Sequence, residues 1–99
     1  MAAIRLSGSI TGTGVTSAVS IFGVANILLA FDGGAATIDL ERSFDDGVTY
    51  DVASKDSTPT DATFTESING LIEEPERDVL YRFNCTAFTS GTIRFRIST

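Results

Sequence analysis

The sequence has no histidine, a single cysteine and two prolines in 99 residues, and each shortage narrows what the chain can do. Without histidine, the side chain that most often serves as acid or base near neutral pH is missing. Cys85 alone cannot form an intrachain disulfide or a thiolate zinc cluster. On the strand face it shares with Tyr81 and Phe83 it reads as a small core residue. Enzymatic catalysis is therefore not expected, and no cofactor is implied. The longest apolar run, Ile27–Phe31, has the length of one buried strand and falls far short of the ~20 residues of a membrane-spanning helix. Basic residues are also scarce. Seven Lys and Arg stand against 13 Asp and Glu, for a net charge of -6 and a pI of about 4.3. The resulting field repels phosphate backbones and anionic lipid, so neither nucleic acid nor a membrane is an expected partner. The start, Met1–Gly8, lacks a charged segment followed by a long apolar one. No secretory signal peptide is expected, and synthesis in a cytoplasm is.

What the sequence does have is hydrophobic residues, 42% of the total, enough for one core and one domain over residues 1–99. They alternate. Ile4, Leu6, Gly8 and Ile10 lie on one face of a first strand, which Gly12-Thr13-Gly14 ends. Residues 16–31 fit one long helix or two strands split near Gly23, and the alternation of Val19, Ile21 and Gly23 with Ala18, Ser20 and Phe22 favours strands. Asp32-Gly33-Gly34 reads as a turn. Ala36, Ile38 and Leu40 then alternate into Asp45-Asp46-Gly47, and Val48, Tyr50 and Val52 share a face beyond it, so the two strands form a hairpin. Lys55–Asp61 is a polar loop, Thr63–Ile68 a short strand, Asn69-Gly70 a turn, and Leu71–Asp78 an acidic connection containing Pro75. Val79, Tyr81, Phe83, Cys85 and Ala87 form the longest clean alternation, a central strand. Ser90-Gly91 turns it into a closing hairpin with Ile93, Phe95 and Ile97. The expectation is an all-β fold, a single β-sandwich of jelly-roll or Ig-like type with roughly seven or eight antiparallel strands.

Two acidic clusters are the candidates for chemistry. Asp39, Glu41, Asp45, Asp46 and Asp51 offer oxygens of the kind Ca²⁺ takes, but without EF-hand spacing, and a hairpin turn uses Asp and Gly for its own geometry. No metal is expected. A glycosidase carboxylate pair would need a cleft that a sandwich of this size seldom encloses. Glu73, Glu74, Glu76 and Asp78 read as a solvated run or as a surface that pairs with Arg94 and Arg96 of a neighbouring copy. With Phe22, the residues Glu73, Glu74, Glu76, Arg94 and Arg96 make up the candidate interface.

Ser43-Phe44-Asp45-Asp46-Gly47-Val48-Thr49-Tyr50 resembles the Asp-box, Ser-x-Asp-x-Gly-x-Thr-Trp, of sialidase propeller hairpins. Tyr50 stands where the Trp would be, and the box occurs once, where a propeller needs several. The resemblance implies a stable hairpin and no sialidase activity. In it, Ser43, Asp45, Gly47, Thr49 and Tyr50 form a structural turn. Asp45 caps amides, Gly47 supplies a positive φ, and the aromatic packs beneath.

From Phe31 onward, the blocks Leu40–Tyr50, Glu74-Pro75-Glu76, Val79–Thr86 and Thr89–Ile93 look like a group of small β proteins encoded among tailed-bacteriophage virion genes. That likeness implies a structural protein of the virion, made in the host cytoplasm. The foremost expectation is a capsid decoration or cement protein that bridges subunits of the major capsid protein as a homo-oligomer, a trimer by preference. The alternative is a head–tail connector, tail or fibre component with a glycan-binding role, for which the outward aromatics would be Phe22, Phe44 and Phe88. Residues 1–30 fall outside the likeness and are expected to dock to the capsid, to join the sandwich, or to do both.

Overall fold

Every regular element of the computed structural model, which describes residues 5–53 and 62–99, is a β-strand. The strands are β1 (Arg5–Ile10), β2 (Gly14–Val15), β3 (Val19–Ala30), β4 (Ala35–Ser43), β5 (Asp51–Val52), β6 (Thr63–Phe64), β7 (Ile68–Ser90) and β8 (Ile93–Ser98). All pairings are antiparallel. The hydrogen-bonded order is β1-β8-β3-β7-β4-β5, with β2 on β7 and β6 on β4. The described residues thus form an all-β domain of eight strands. The polar loop expected at Lys55–Asp61 lies outside the described residues.

One long strand organises this sheet. β7 has 23 residues, about 75 Å if straight, yet the longest dimension of the molecule is 36 Å. It must fold back, and its pairings say where. Ile68 lies beside Leu29 and Ser90 beside Ala35, so both ends of β7 meet the Asp32-Gly33-Gly34 turn that joins β3 to β4. The bend falls at Pro75–Asp78. There the step from Ile21 to Gly23 on β3 is matched by the longer step from Glu74 to Val79 on β7. The extra residues are odd in number, which flips the side-chain parity. Glu74 and Val79 both point inward as a result. Proline has no N–H to give a ladder, and Asp78 takes the left-handed conformation (φ 65°) that Asp tolerates.

Bending β7 closes the sheet over itself into two layers. The first is β1-β8-β3 with the first half of β7; the second is the remainder of β7 with β2, β4, β5, β6 and the start of β3. Between them lie Ile21, Leu29, Ile38, Leu40, Val79, Phe83, Ile93 and Ile97, all fully buried. Phe83 of one layer meets Phe95 of the other edge to face, with centroids 5.9 Å apart. At the turn side the backbones nearly touch. A Cβ on Gly91 (φ 87°) would lie 2.5 Å from Cα of Gly34, so only glycine fits there.

Several local expectations are corrected. Residues 16–31 give one strand with a bulge beside Gly23, not two strands. Asn69-Gly70 is not a turn but lies within β7, opposite Leu28 and Ile27, and Leu71–Glu74 is strand and not connection. The first short strand after the loop ends at Phe64. β8 pairs with β1 and β3, so Ser90-Gly91 turns the chain from one layer to the other and closes no hairpin with β7. Val48 and Tyr50 lie in a loop, and only Asp51 and Val52 pair with β4. Phe88 does not face outward. One extra residue between Cys85 and Ala87 shifts the register against β4, and Phe88 packs against the core.

Candidate functional site

The β4–β5 loop is held by its own side chains. Asp45 accepts hydrogen bonds at Oδ1 from the Ser43 hydroxyl (2.8 Å) and the Thr49 backbone amide (2.8 Å), and at Oδ2 from the Thr49 hydroxyl. Ser43, itself buried, accepts from the Gly47 amide at 2.9 Å. Asp46 and Gly47 follow each other with φ of 61° and 89°, a reversal that suits Asp and Gly and few other residues. The bonds from Thr49 and Ser43 hold the Asp45 carboxyl well below its ordinary value, at about 2. With both its oxygens engaged by protein donors, Asp45 is a turn hub. Outside this frame the loop exposes Phe44 and Val48.

Two ion pairs lie next to the loop, one on each face of the β4–β7 pairing. Glu74, fully buried, takes hydrogen bonds from the Arg42 guanidinium, from the Tyr81 hydroxyl (2.9 Å) and from the Glu76 amide (3.0 Å). These donors satisfy a charge that would otherwise be prohibitive in a core. Burial, and the hydrogen bond to Glu74, push the Tyr81 phenol up and keep it protonated. The Arg42 guanidinium lies 4.5 Å from the Phe44 ring centre and 5.8 Å from that of Tyr81. In the second pair Glu41 accepts from Arg82 Nε (2.8 Å) and Asn84 Nδ2 (3.0 Å). The Arg82 guanidinium lies 3.5 Å from the Tyr50 ring centre.

The outer face of the first layer has a different character. Residues that pair across antiparallel strands point to one side. The row Ser9, Arg94, Ala30 is followed by Ser7, Arg96, Leu28, Asn69, then by Arg5, Ser98, Asn26, Leu71, then by Val24 and Glu73. Phe22 comes last, with the guanidinium of Arg77 4.4 Å from its ring centre. Arg5, Arg77, Arg94 and Arg96, four of the seven basic residues, thus share a face with Phe22, Val24 and Leu71, each at least half exposed. Arg94 is bound to its own Asp32 at 2.7 Å. Arg96 Nε donates to the Ser98 hydroxyl at 3.2 Å. Among the described residues Arg96 has no carboxylate partner and Glu73 no cationic one.

Of the expected interface residues, Phe22, Glu73, Arg94 and Arg96 fall on this face, and Glu76 is exposed at the bend beside it. Glu74 is corrected: it is a core residue, because the parity flip at the bend turns it inward. Val24 and Leu71 join the face without any expectation from sequence. Their signal, large apolar residues in phase with Phe22 and Glu73, becomes readable only once Ile68–Glu74 is known to be strand. Open hollows are lined by Ser9–Thr16 with Phe95, and by Asn26, Leu28, Asn69, Arg96 and Ser98. Neither contains a carboxylate; a third, lined by Thr63–Ile68, contains Glu66 alone. Among the described residues no three His, Cys, Asp or Glu side chains converge. Known protein families, curated proteins and solved structures provide no match to the chain.

Proposed function

We propose that this chain is an interaction module that works by surface contact, and that it serves as a structural component of a tailed-phage virion, of the kind that decorates and cements the capsid by bridging subunits of the shell. The observation that carries the contact half is the outer face of the first layer, where half-exposed Phe22, Val24 and Leu71 stand among arginines on a sheet. Exposed apolar groups rimmed by charge are a common mark of an interface. The virion half is supported by the sequence blocks between Phe31 and Ile93. Three acidic residues are spent internally: Glu41, Glu74 and Asp45 hold the framework, and Glu66 stands as a lone carboxylate in the hollow at Thr63–Ile68.

A tail or fibre role with glycan binding is less well supported. Phe22 and Phe44 are exposed, but each already has a guanidinium against its ring, which leaves less surface for a sugar to stack upon. Mass spectrometry of purified particles of the encoding phage tests the proposal. Decoration predicts copies on the order of hundreds per particle, as shell symmetry dictates. Six or twelve copies would overturn it in favour of the neck or tail, and detection only in infected-cell lysate would overturn both.

A further inference from the structure

We propose that the outer face of the first layer pairs with the same face of a second copy about a two-fold axis passing beside Asn26. The proposal names a second copy as the partner of the face on which the contact half of that reading rests, and it does not depend on the virion half. Its basis is the placement of two of the charges on this face that lack an ionic partner; among the described residues Arg5 and Arg77 are others. Arg96 lies on β8 beside Leu28, and Glu73 lies on β7 beside Val24. β8 and β7 flank β3 on opposite sides, and Leu28 and Val24 are equally distant from Asn26 along it. Asn26 therefore marks the midpoint of the diagonal from Arg96 to Glu73.

A two-fold axis in the plane of contact, through Asn26 and perpendicular to that diagonal, exchanges the two positions. Arg96 of each copy then sits over Glu73 of the other, twice. With strands about 4.8 Å apart and a rise of about 3.3 Å per residue, the strands of the two copies cross at roughly 70°, close to the orthogonal way in which sheets pack. The same operation brings Leu71 onto Leu28 of its mate and carries Val24 over β8. Arg94 comes near the bend that holds Glu76 and Asp78. A patch with both signs and an apolar middle, related by one symmetry operation, is self-complementary, as a two-fold interface requires.

The area is modest. Four strands by about nine residues cover roughly 500–600 Å² per copy, near the lower end of specific interfaces. A dimer in place of the expected trimer, forming in the micromolar range or above and weakened by salt, follows from this size and charge.

Sedimentation equilibrium on the full chain tests the geometry. Wild type should reach twice the 10.5 kDa of the chain and no more. R96E alone and E73R alone each place like charges together twice and should weaken the dimer about tenfold or more. An equimolar mixture of the two variants restores opposite charges at both contacts and should dimerise again, with heterodimers as the largest species. Both positions are exposed, so circular dichroism melts should match wild type. A wild-type chain still monomeric at about 1 mM, where an interface of this area should be populated, would overturn the proposal. So would trimers, open-ended growth, or failure of the mixed variants to pair.

Discussion

At the scale of single residues, two glycines with nearly equal φ make different demands. A Cβ on Gly47 (φ 89°) would have its closest outside neighbour, the Tyr50 hydroxyl, at 3.4 Å, whereas one on Gly91 (φ 87°) would meet backbone at 2.5 Å. Gly47→Val therefore carries mainly conformational strain, about 1–2 kcal/mol. Gly91→Ala adds a clash that the fold can relieve only by moving the β3–β4 turn, and should cost more, about 3 kcal/mol. Thermal melts check the ranking; Gly47→Val melting at the wild-type temperature would refute the turn assignment. Asp45 makes a pH-dependent contribution. Its carboxyl is ordinary in the unfolded chain, near 3.8, and depressed to about 2 in the fold. The stability it contributes is present above about pH 4 and is lost as pH falls toward 2. Asp45→Asn should melt below wild type at neutral pH, and the gap should narrow across that window. A gap that stays constant down to pH 2 would contradict the hydrogen-bond assignment.

At the scale of elements, β7 shows what alternation reveals and what it hides. Val79 to Cys85 announces a central strand because every second residue is apolar, and the fold places β2 and the start of β3 on one side of it and β4 on the other. The first half of the same strand reads as connection, since Glu73-Glu74-Pro75-Glu76 looks solvated. What sequence does not display is the partner of Glu74: Arg42 lies 32 residues away, and pairing at that separation leaves no local pattern. For the same reason the two-layer closure is legible only as a class, and the crossing at Ser90-Gly91 has the local look of a hairpin. In the loop at Ser43–Tyr50 the turn roles of Ser43, Asp45, Gly47 and Thr49 are legible because their bonds span four residues or fewer, whereas the strand pairing expected at Val48 and Tyr50 is not formed. The buried pair yields an element-scale prediction. Glu74→Ala strands Arg42 and Tyr81 without their acceptor and should destabilise the fold by about 3 kcal/mol. Glu74→Leu combined with Arg42→Met removes both charges and should recover most of that loss. A double variant as unstable as Glu74→Ala would show that the pair holds the bend of β7 in a way packing cannot replace.

At the scale of the whole molecule, the charges divide by role. A chain with a net charge of -6 carries four of its arginines on one outer sheet face, while in the opposite layer Arg42 pairs inward with Glu74 and Arg82 pairs with Glu41 on the outer side. The face is assembled from residues of β1, β3, β7 and β8, segments distant in sequence, which is why its apolar members Val24 and Leu71 group together only in the fold. In the function proposed above, this face is the working surface and the remainder of the domain positions it. Leu71→Asp tests that claim most directly, because Leu71 is 64% exposed and its replacement leaves the core intact. Quantitative mass spectrometry of particles assembled with this variant, alongside its melting temperature, is the measurement. The variant chain should melt as wild type does yet be lost from the particles. Incorporation at the wild-type level would contradict that role of the face.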